Sequence, residues 1–298
     1  MLETWLRWLA ALCFSANVLA DDISELMTSA DLANLEHPEA DARIHYGDGA
    51  FHFGDLRVPA GAGPHPVILF IHGGCWRAKF GLAYADELMA AFTREGFATW
   101  SIEYRRVGDE GGGWPNTFID VANGADHLVE IAPTHHLDLE RVVAMGHSAG
   151  GHFALWLAAR GNLPAESPVS SQSPLQLQAV LALAPAPDLM HLHEKKVCGH
   201  IIDKLMGGSP DDFPARYRWA DPVHTAPGTT PQVLFIGKYD EAWAPVGLRY
   251  LRTAQARGDD VKMIEATESG HFEMVDPKST TWPLVLEATI ALFARQEK

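Results

Sequence analysis

Gly146-His147-Ser148-Ala149-Gly150 is the stretch that decides the fold, because an apolar run enters it and a helix-periodic stretch leaves it. Residues 141–145 predict a buried strand, and residues 149–160 predict a helix with an apolar packing face. A G-x-S-x-G pattern between a strand and a helix is typical of a nucleophile elbow, in which the glycines permit a sharp turn that exposes the serine hydroxyl. The sequence therefore predicts Ser148 as a nucleophile, and the alternative is a glycine-rich strand-to-helix turn without chemistry.

Two further residues offer the acid and the base that a serine nucleophile needs. Residues 232–237 predict an apolar strand, and Asp240 lies just beyond its end. Residues 261–265 predict a short strand, and the loop that follows it contains His271. Because ligands bind at the carboxyl ends of the strands in open α/β sheets, we expect Ser148, Asp240 and His271 to lie together there.

Other acidic and histidine residues are alternative candidates. Asp188 and Asp221 are rivals for the acid, but Asp240 is better placed, immediately beyond an apolar strand. His147 occupies the variable position of the elbow and is interpreted as a packing or hydrogen-bonding residue. A group of histidines lacks a metal-ligand framework and is assigned to a solvent-facing helix: His191, His193 and His200. No metal or organic cofactor is predicted.

A glycine-rich loop, His72-Gly73-Gly74-Cys75-Trp76, directly follows the strand predicted at residues 66–71. Glycines allow a backbone to approach a reacting carbonyl closely, so that its N–H groups can stabilise an oxyanion. His72 is interpreted as orienting this loop through hydrogen bonds and not as a second base. The predicted oxyanion donors, with a one-residue register left open, are the backbone amides of Gly74, Cys75 and Ala149.

Together these motifs resemble the α/β-hydrolase superfamily, and within it the esterase and aryl-formamidase branch, whose oxyanion loop reads HGG-x-W. In that superfamily the triad follows in the chain order serine, acid, histidine. The resemblance covers most of the chain from about Val58 onward. It implies a serine hydrolase that cleaves carboxylic esters through an acyl-enzyme. A fold does not fix a substrate, so aryl formamidase is the alternative activity, and a non-catalytic binding scaffold is a further alternative.

The alternation of predicted strands and helices favours a doubly wound, mostly parallel sheet with a small cap. Residues 51–58 alternate in polarity like an early antiparallel strand, and residues 185–230 are too long for a simple loop and predict a cap or lid. The remaining predicted elements are strands at residues 66–71, 98–104 and 180–184 and helices at residues 23–33, 84–94, 115–130, 246–257 and 283–295.

The composition is that of an ordinary globular domain. The chain has 298 residues, of which 47% are hydrophobic and 20% are charged, enough for one sizeable α/β core. A formal net charge of −15 disfavours nucleic acid and anionic membrane surfaces as partners. The expected partner is a small-molecule ester or amide.

The beginning of the chain predicts a secretory signal peptide over residues 1–20, because a short apolar segment follows Arg7 and ends in small residues at Ala20. Glu3 makes the charged region imperfect, and the alternative is a membrane anchor, for which the apolar stretch is short. We therefore expect residues 21–298 to form a single exported domain, periplasmic or secreted, without stable membrane insertion.

Export would leave two cysteines, Cys75 and Cys198, in the mature chain. An even number of cysteines in an oxidising compartment favours one disulfide, which would tie the oxyanion loop to the segment after residues 180–184. The alternative is two free, buried thiols.

Three tryptophans, Trp76, Trp114 and Trp243, lie in loops at predicted carboxyl ends of strands. There they would line the substrate pocket and favour an aromatic or bulky acyl or alcohol group. The alternative is that they fill the loop layer without contacting a substrate.

Overall fold

An eight-stranded sheet forms the centre of the protein in a computed structural model that describes residues 25–225 and 229–295. Its strands are β1 (Ala42–His45), β2 (Phe53–Arg57), β3 (His65–Ile71), β4 (Ala98–Ile102), β5 (Leu137–His147), β6 (Ala179–Leu183), β7 (Gln232–Gly237) and β8 (Val261–Ala266). They lie in the order β1-β2-β4-β3-β5-β6-β7-β8, with β2 antiparallel to both of its neighbours and all other pairs parallel. This confirms the predicted mostly parallel α/β sheet.

Helices cover both faces of this sheet. They are α1 (Asp86–Arg94), α2 (Asn116–Asp126), α3 (Leu128–His135), α4 (Ala149–Ala159), α5 (Leu189–Glu194), α6 (Ile201–Met206), α7 (Pro214–Ala220), α8 (Ala244–Arg257) and α9 (Trp282–Phe293). Along β3, Leu69 packs into a core with α2, α4 and α8, whereas Phe70 packs into a second core with α1 and α9. Central strands are therefore apolar on both faces, as parallel strands between two helical layers must be.

The segment between β6 and β7 contains the short helices α5, α6 and α7, whose buried side chains join the same core as α4. None of the helices in the described ranges is long and apolar enough to cross a membrane. The predicted signal peptide, residues 1–20, lies outside the described residues.

Two predicted helices differ from the structure. From residue 25 onward the helix predicted at residues 23–33 is wrong, because only the short 3₁₀ turn Asp31–Asn34 forms there. The Asp31 carboxylate accepts hydrogen bonds at 2.7 Å from both the backbone and the hydroxyl of Thr28, a local bond that competes with a helix. The helix predicted at residues 115–130 is divided into α2 and α3. Just before the break, the carbonyl of Gly124 accepts a hydrogen bond from the Trp100 indole at 2.8 Å.

Candidate active site

Ser148 lies in the turn that joins β5 to α4, with φ 57° and ψ −118°. A residue with a side chain rarely adopts this conformation, which persists only where the surrounding structure enforces it. A Cβ atom on Gly146 would lie 2.1 Å from the carbonyl oxygen of Gly150, and one on Gly150 would lie 2.0 Å from that of Ile71. The two glycines of the motif are therefore required by close backbone approach, as in the predicted elbow.

His271 and Asp240 form a hydrogen-bonded pair, with 2.7 Å between Nδ1 of the ring and Oδ2 of the carboxylate. Because an ionised carboxylate only accepts, the ring proton is on Nδ1 and the Nε2 lone pair of the neutral ring is left to act as a base. The other oxygen of Asp240 accepts the backbone N–H of Trp243 at 3.2 Å. A Cβ atom on Gly237 would lie 2.0 Å from the carbonyl oxygen of Gly270, so this glycine lets β7 pack against the histidine loop.

A cavity of about 310 Å³ brings the candidate residues together. Ser148 and His271 both line it, as do Gly74 and Cys75 of the oxyanion loop, while Asp240 lies behind His271 and is buried. The structure thus places a hydroxyl, a base oriented by an acid, and a glycine-rich loop around one space. This arrangement is suited to attack on a carbonyl group.

The backbone amides of the oxyanion loop differ in their hydrogen bonding. The amide of Gly73 donates to the hydroxyl oxygen of Tyr84 at 2.7 Å and is therefore occupied. Within the described residues, the amides of Gly74 and Cys75 have no protein acceptor. Ala149 is the first residue of α4, where N–H groups have no intrahelical acceptor. The geometry thus favours the three predicted amides over that of Gly73.

His72 holds the first residues of the oxyanion loop in place. Its ring is fully buried, with Nδ1 2.8 Å from the carbonyl oxygen of Gly73 and Nε2 2.8 Å from a carboxylate oxygen of Glu103, and it stacks on Tyr104. Burial acts to raise the pKa of Glu103, but His72 and Arg106 beside it outweigh this effect and lower the pKa below its usual value. His72 therefore orients the loop and has no free nitrogen for a second base.

Of the three tryptophans predicted to bind substrate, only Trp243 lines the cavity, and its indole stacks on the ring of His271 at 5.4 Å. Trp76 is 1% exposed and belongs to the core. Its backbone has a φ of 54°, and its indole packs edge-on against the buried ring of His152. Trp114 stacks on Trp219 and also lies outside the cavity wall. The prediction that Trp76 and Trp114 line the pocket is therefore corrected.

A disulfide joins Cys75 to Cys198, which are 123 residues apart in sequence, and so confirms the predicted link. The guanidinium of Arg77 also donates a hydrogen bond to the carbonyl oxygen of Cys198. Both connections tie the oxyanion loop to the segment after α5. Because Cys75, Arg77 and Cys198 all line the cavity, this link forms part of its rim.

The rival acids have structural roles. Asp188 accepts the backbone N–H of His191 at 2.9 Å at the start of α5, and pairs with Arg249 at 2.5 Å. Burial, and after it the charge of Asp188, raises the pKa of Asp221 well above its usual value. The histidines of this region pair with carboxylates, as His193 does with Asp203 at 2.5 Å, and no group of metal ligands occurs among the described residues.

The segment of residues 25–36, named here the N-terminal strap, contributes to the cavity, a role that no motif in the sequence indicates. Ser29 and Leu32 line the cavity wall. The backbone N–H of Met27 donates to one carboxylate oxygen of Glu273 at 2.6 Å, and the other oxygen accepts from Gly270, next to His271, at 2.8 Å. The apolar residues of the strap are the available signal, but their spacing favours the helix predicted at residues 23–33 and not a cavity wall.

Because of His152, on α4, we expect the protein to lose stability in acid. Its fully buried ring has Nε2 2.8 Å from the carbonyl oxygen of Ala220, and burial lowers its pKa to about 4. The unfolded chain gains a proton near the ordinary histidine pKa of about 6.5, whereas the folded protein does not. The free energy of unfolding therefore falls as the pH drops through this window, by about 1.4 kcal/mol per pH unit for this residue.

The variant His152→Gln can keep a donor to Ala220 but does not titrate. Urea unfolding at several pH values between about 6.5 and about 4 should show a shallower loss of stability in this variant than in the wild type. Equal slopes in the two proteins would contradict the account of His152.

The fold and the arrangement around Ser148 define the class of the protein, which is an α/β-hydrolase. The sequence model of the BD-FAE family matches residues 55–246. The chain belongs to the BD-FAE family, an esterase family of the α/β-hydrolase type. At the level of the family, the predicted ester hydrolase is confirmed, while the roles of individual residues remain predictions.

Solved structures share this fold at low sequence identity. An inhibited esterase B from Lactobacillus rhamnosis is 20% identical, with 88% of this chain and 91% of that chain covered and a TM-score of 0.74. The propionate-bound esterase Est2 from Thermogutta terrifontis is 19% identical, with 87% and 94% covered and a TM-score of 0.65. A bifunctional GH43-CE protein from Bacteroides eggerthii is 20% identical with a TM-score of 0.68; 86% of this chain is covered, but it spans only 39% of that protein. No curated protein matches the chain.

Proposed function

We propose that this protein hydrolyses carboxylic esters through an acyl-enzyme formed on Ser148. The observation that carries the proposal is the 2.7 Å pairing of Asp240 with His271, which lines the same cavity as Ser148. Membership of the BD-FAE family supports this chemistry independently of the geometry.

In the proposed mechanism the Oγ atom of Ser148 attacks the ester carbonyl carbon while Nε2 of His271 takes the hydroxyl proton. Asp240 keeps the ring in the Nδ1–H tautomer and stabilises its cation. His271 then gives the proton to the leaving alcohol, and a water molecule hydrolyses the acyl-enzyme by the same route. The amides of Gly74, Cys75 and Ala149 stabilise the negative oxygen of each tetrahedral intermediate.

The size and the apolar wall of the cavity favour an ester whose enclosed acyl or alcohol group is short or aromatic. Its volume is about 310 Å³, and apolar side chains contribute to its wall: Leu32, Phe80, Phe272 and Trp243. Two structures of Thermogutta terrifontis Est2 hold propionate and butyrate, and the Lactobacillus rhamnosis esterase B has been inhibited with a tributyrin phosphonate. These neighbours support short acyl groups as substrates of this protein.

A comparison of substrates tests this function against its alternative. The kcat/KM values of unactivated alkyl and aryl esters should exceed that of N-formylkynurenine, whose hydrolysis defines an aryl formamidase. Activated phenyl esters do not decide the question, because any serine triad attacks them readily. A formamide preference of about tenfold or more would reverse the ranking, since such a ratio reflects selective stabilisation of that transition state.

We also propose that the protein is exported. The residue pattern of positions 1–20 supports this proposal, as does the disulfide between Cys75 and Cys198, because disulfides persist in oxidising compartments. Amino-terminal sequencing of protein isolated from the periplasm or medium should begin near Asp21. An uncleaved protein confined to the cytoplasm would contradict export.

The N-terminal strap should help to set the size of the accepted ester. Leu32 is 7% exposed and lines the cavity, so Leu32→Ala adds space at the wall. We expect kcat/KM for a longer-chain ester, divided by that for the acetate or methyl ester, to rise by about tenfold, the scale of one or two methylene groups. One series should vary the acyl chain and another the alcohol.

Because a ratio within one variant is insensitive to the amount of folded enzyme, a loss of stability does not imitate this effect. Leu284→Ala is the matched control, since Leu284 is exposed on α9 and should leave both series unchanged. Unchanged length preference in both series for Leu32→Ala would exclude the strap from substrate selection.

A further inference from the structure

Two buried polar side chains that the mechanism does not use connect the oxyanion loop with the histidine loop. The backbone N–H of Gly73 donates to the hydroxyl oxygen of Tyr84 at 2.7 Å. That oxygen is 3.0 Å from Nδ1 of His147, whose Nε2 is 2.9 Å from the carbonyl oxygen of His271. Three hydrogen bonds therefore join the loop after β3 to the loop after β8 through the residue immediately before Ser148.

The groups at the two ends of this series of hydrogen bonds determine which atom donates and which accepts in each bond. A backbone amide only donates and a carbonyl oxygen only accepts. Tyr84 therefore accepts from Gly73 and donates its own proton to Nδ1 of His147. His147 in turn carries its proton on Nε2 and donates it to the carbonyl of His271. The tautomer assigned to His147 is thus the opposite of the Nδ1–H tautomer that Asp240 imposes on His271.

Burial keeps both side chains neutral. Tyr84 is 9% exposed and His147 is 2% exposed. Burial raises the pKa of Tyr84. Burial, and after it the proximity of His271, lowers the pKa of His147 to about 3. Near neutral pH the three hydrogen bonds therefore keep one arrangement of their protons. His147 does not serve as a second base, because its Nδ1 lone pair accepts from Tyr84 and its Nε2 proton is donated to a carbonyl.

We propose that Tyr84 and His147 are positioning residues that hold the oxyanion loop and the catalytic base His271 in a fixed mutual geometry. The inference rests on the proposed function. Tyr84 lies in the 3₁₀ turn Leu82–Ala85 and His147 is the last residue of β5, so the connection passes beside the nucleophile. Small displacements of the loop or the base matter, because a misplacement of about 1 Å can reduce a rate about 10²-fold.

The variant Tyr84→Phe tests the proposal by removing one oxygen atom and with it two of the three hydrogen bonds. We expect kcat for ester hydrolysis to fall by about tenfold to 10²-fold, because loop and base lose their fixed spacing. We expect KM to stay within about twofold, because a positioning effect acts mainly on the transition state.

Tyr250→Phe is the matched control. Tyr250 is 1% exposed, and its hydroxyl donates to the side chain of Gln232, at the start of β7, at 2.5 Å. This control also loses a buried hydroxyl hydrogen bond, but outside the active site, so it should lower the melting temperature and keep kcat. A kcat of Tyr84→Phe within twofold of the wild type would overturn the proposal, as would an equal loss of kcat in Tyr250→Phe.

Two variants of His147 separate positioning from packing. His147→Gln offers an amide N–H in place of Nε2–H and can still donate to the carbonyl of His271, whereas His147→Phe keeps a ring without a donor. We expect kcat of the glutamine variant to exceed that of the phenylalanine variant by about tenfold. Equal activities would remove His147 from the proposal. A wild type without ester hydrolysis, or an unaffected Ser148→Ala variant, would instead refute the proposed function.

Discussion

Ester turnover should be lost in Ser148→Ala while the fold remains. The substitution removes the Oγ nucleophile, and the loss for a serine of a triad is about 10⁴-fold or more in kcat. The backbone N–H of Ser148 still donates to the carbonyl of Leu183 at 2.9 Å, and alanine takes the same place in the turn between β5 and α4. Initial rates with an unactivated ester and thermal melting of the same preparation measure the two properties separately.

Ser101→Ala is a matched control for this experiment. Ser101 lies on β4, is 1% exposed, and has no hydrogen-bond partner for its hydroxyl among the residues that the structure describes. Its alanine variant should retain the turnover of the wild type. If Ser148→Ala retains more than about a tenth of the wild-type activity, Ser148 is not the nucleophile, because triad nucleophiles contribute orders of magnitude more than that.

Asp240→Asn should have the next largest effect, with kcat lower by about 10⁴-fold. The carboxylate accepts the Nδ1 proton of His271 at 2.7 Å, whereas an asparagine amide can turn its own N–H toward this nitrogen. The ring then carries its proton on Nε2 and no longer accepts the proton of Ser148. The fold should change little, because asparagine is isosteric with aspartate. Rates at saturating ester together with a melting curve test both statements.

Asp188→Asn is the comparison that decides the identity of the acid. Asp188 caps α5 and pairs with Arg249, so its replacement should reduce stability and leave kcat nearly unchanged. If Asp188→Asn abolished turnover and Asp240→Asn were harmless, the acid would be misassigned.

The sequence predicts this fold well where the determining signal is local. The apolar runs that became β3, β5 and β7 are continuous along the chain, and the glycines around Ser148 reflect close backbone contacts that no other residue permits. Because parallel strands end at one edge, the loops that carry Asp240 and His271 could be expected beside Ser148 from their positions at the carboxyl ends of predicted strands.

The remaining features depend on contacts between distant segments. The indole of Trp76 packs against His152, 76 residues further along the chain, a contact that the sequence HGGCW does not specify. The N-terminal strap reaches the cavity through a hydrogen bond between Met27 and Glu273, which are 246 residues apart. The hydrogen bond between Tyr84 and His147 likewise joins positions 63 residues apart. Patterns along the chain carry no information about such pairs.

Labelling with a fluorophosphonate tests the central claim, an activated serine at position 148, most directly. The reagent forms a covalent bond with the oxygen of an activated serine, so intact mass and peptide mapping report both the number and the position of labels. We predict one label per chain on the peptide that contains Ser148, no label in Ser148→Ala, and much slower labelling in Asp240→Asn. A label on a different residue, or no label on folded wild-type protein, would contradict the account.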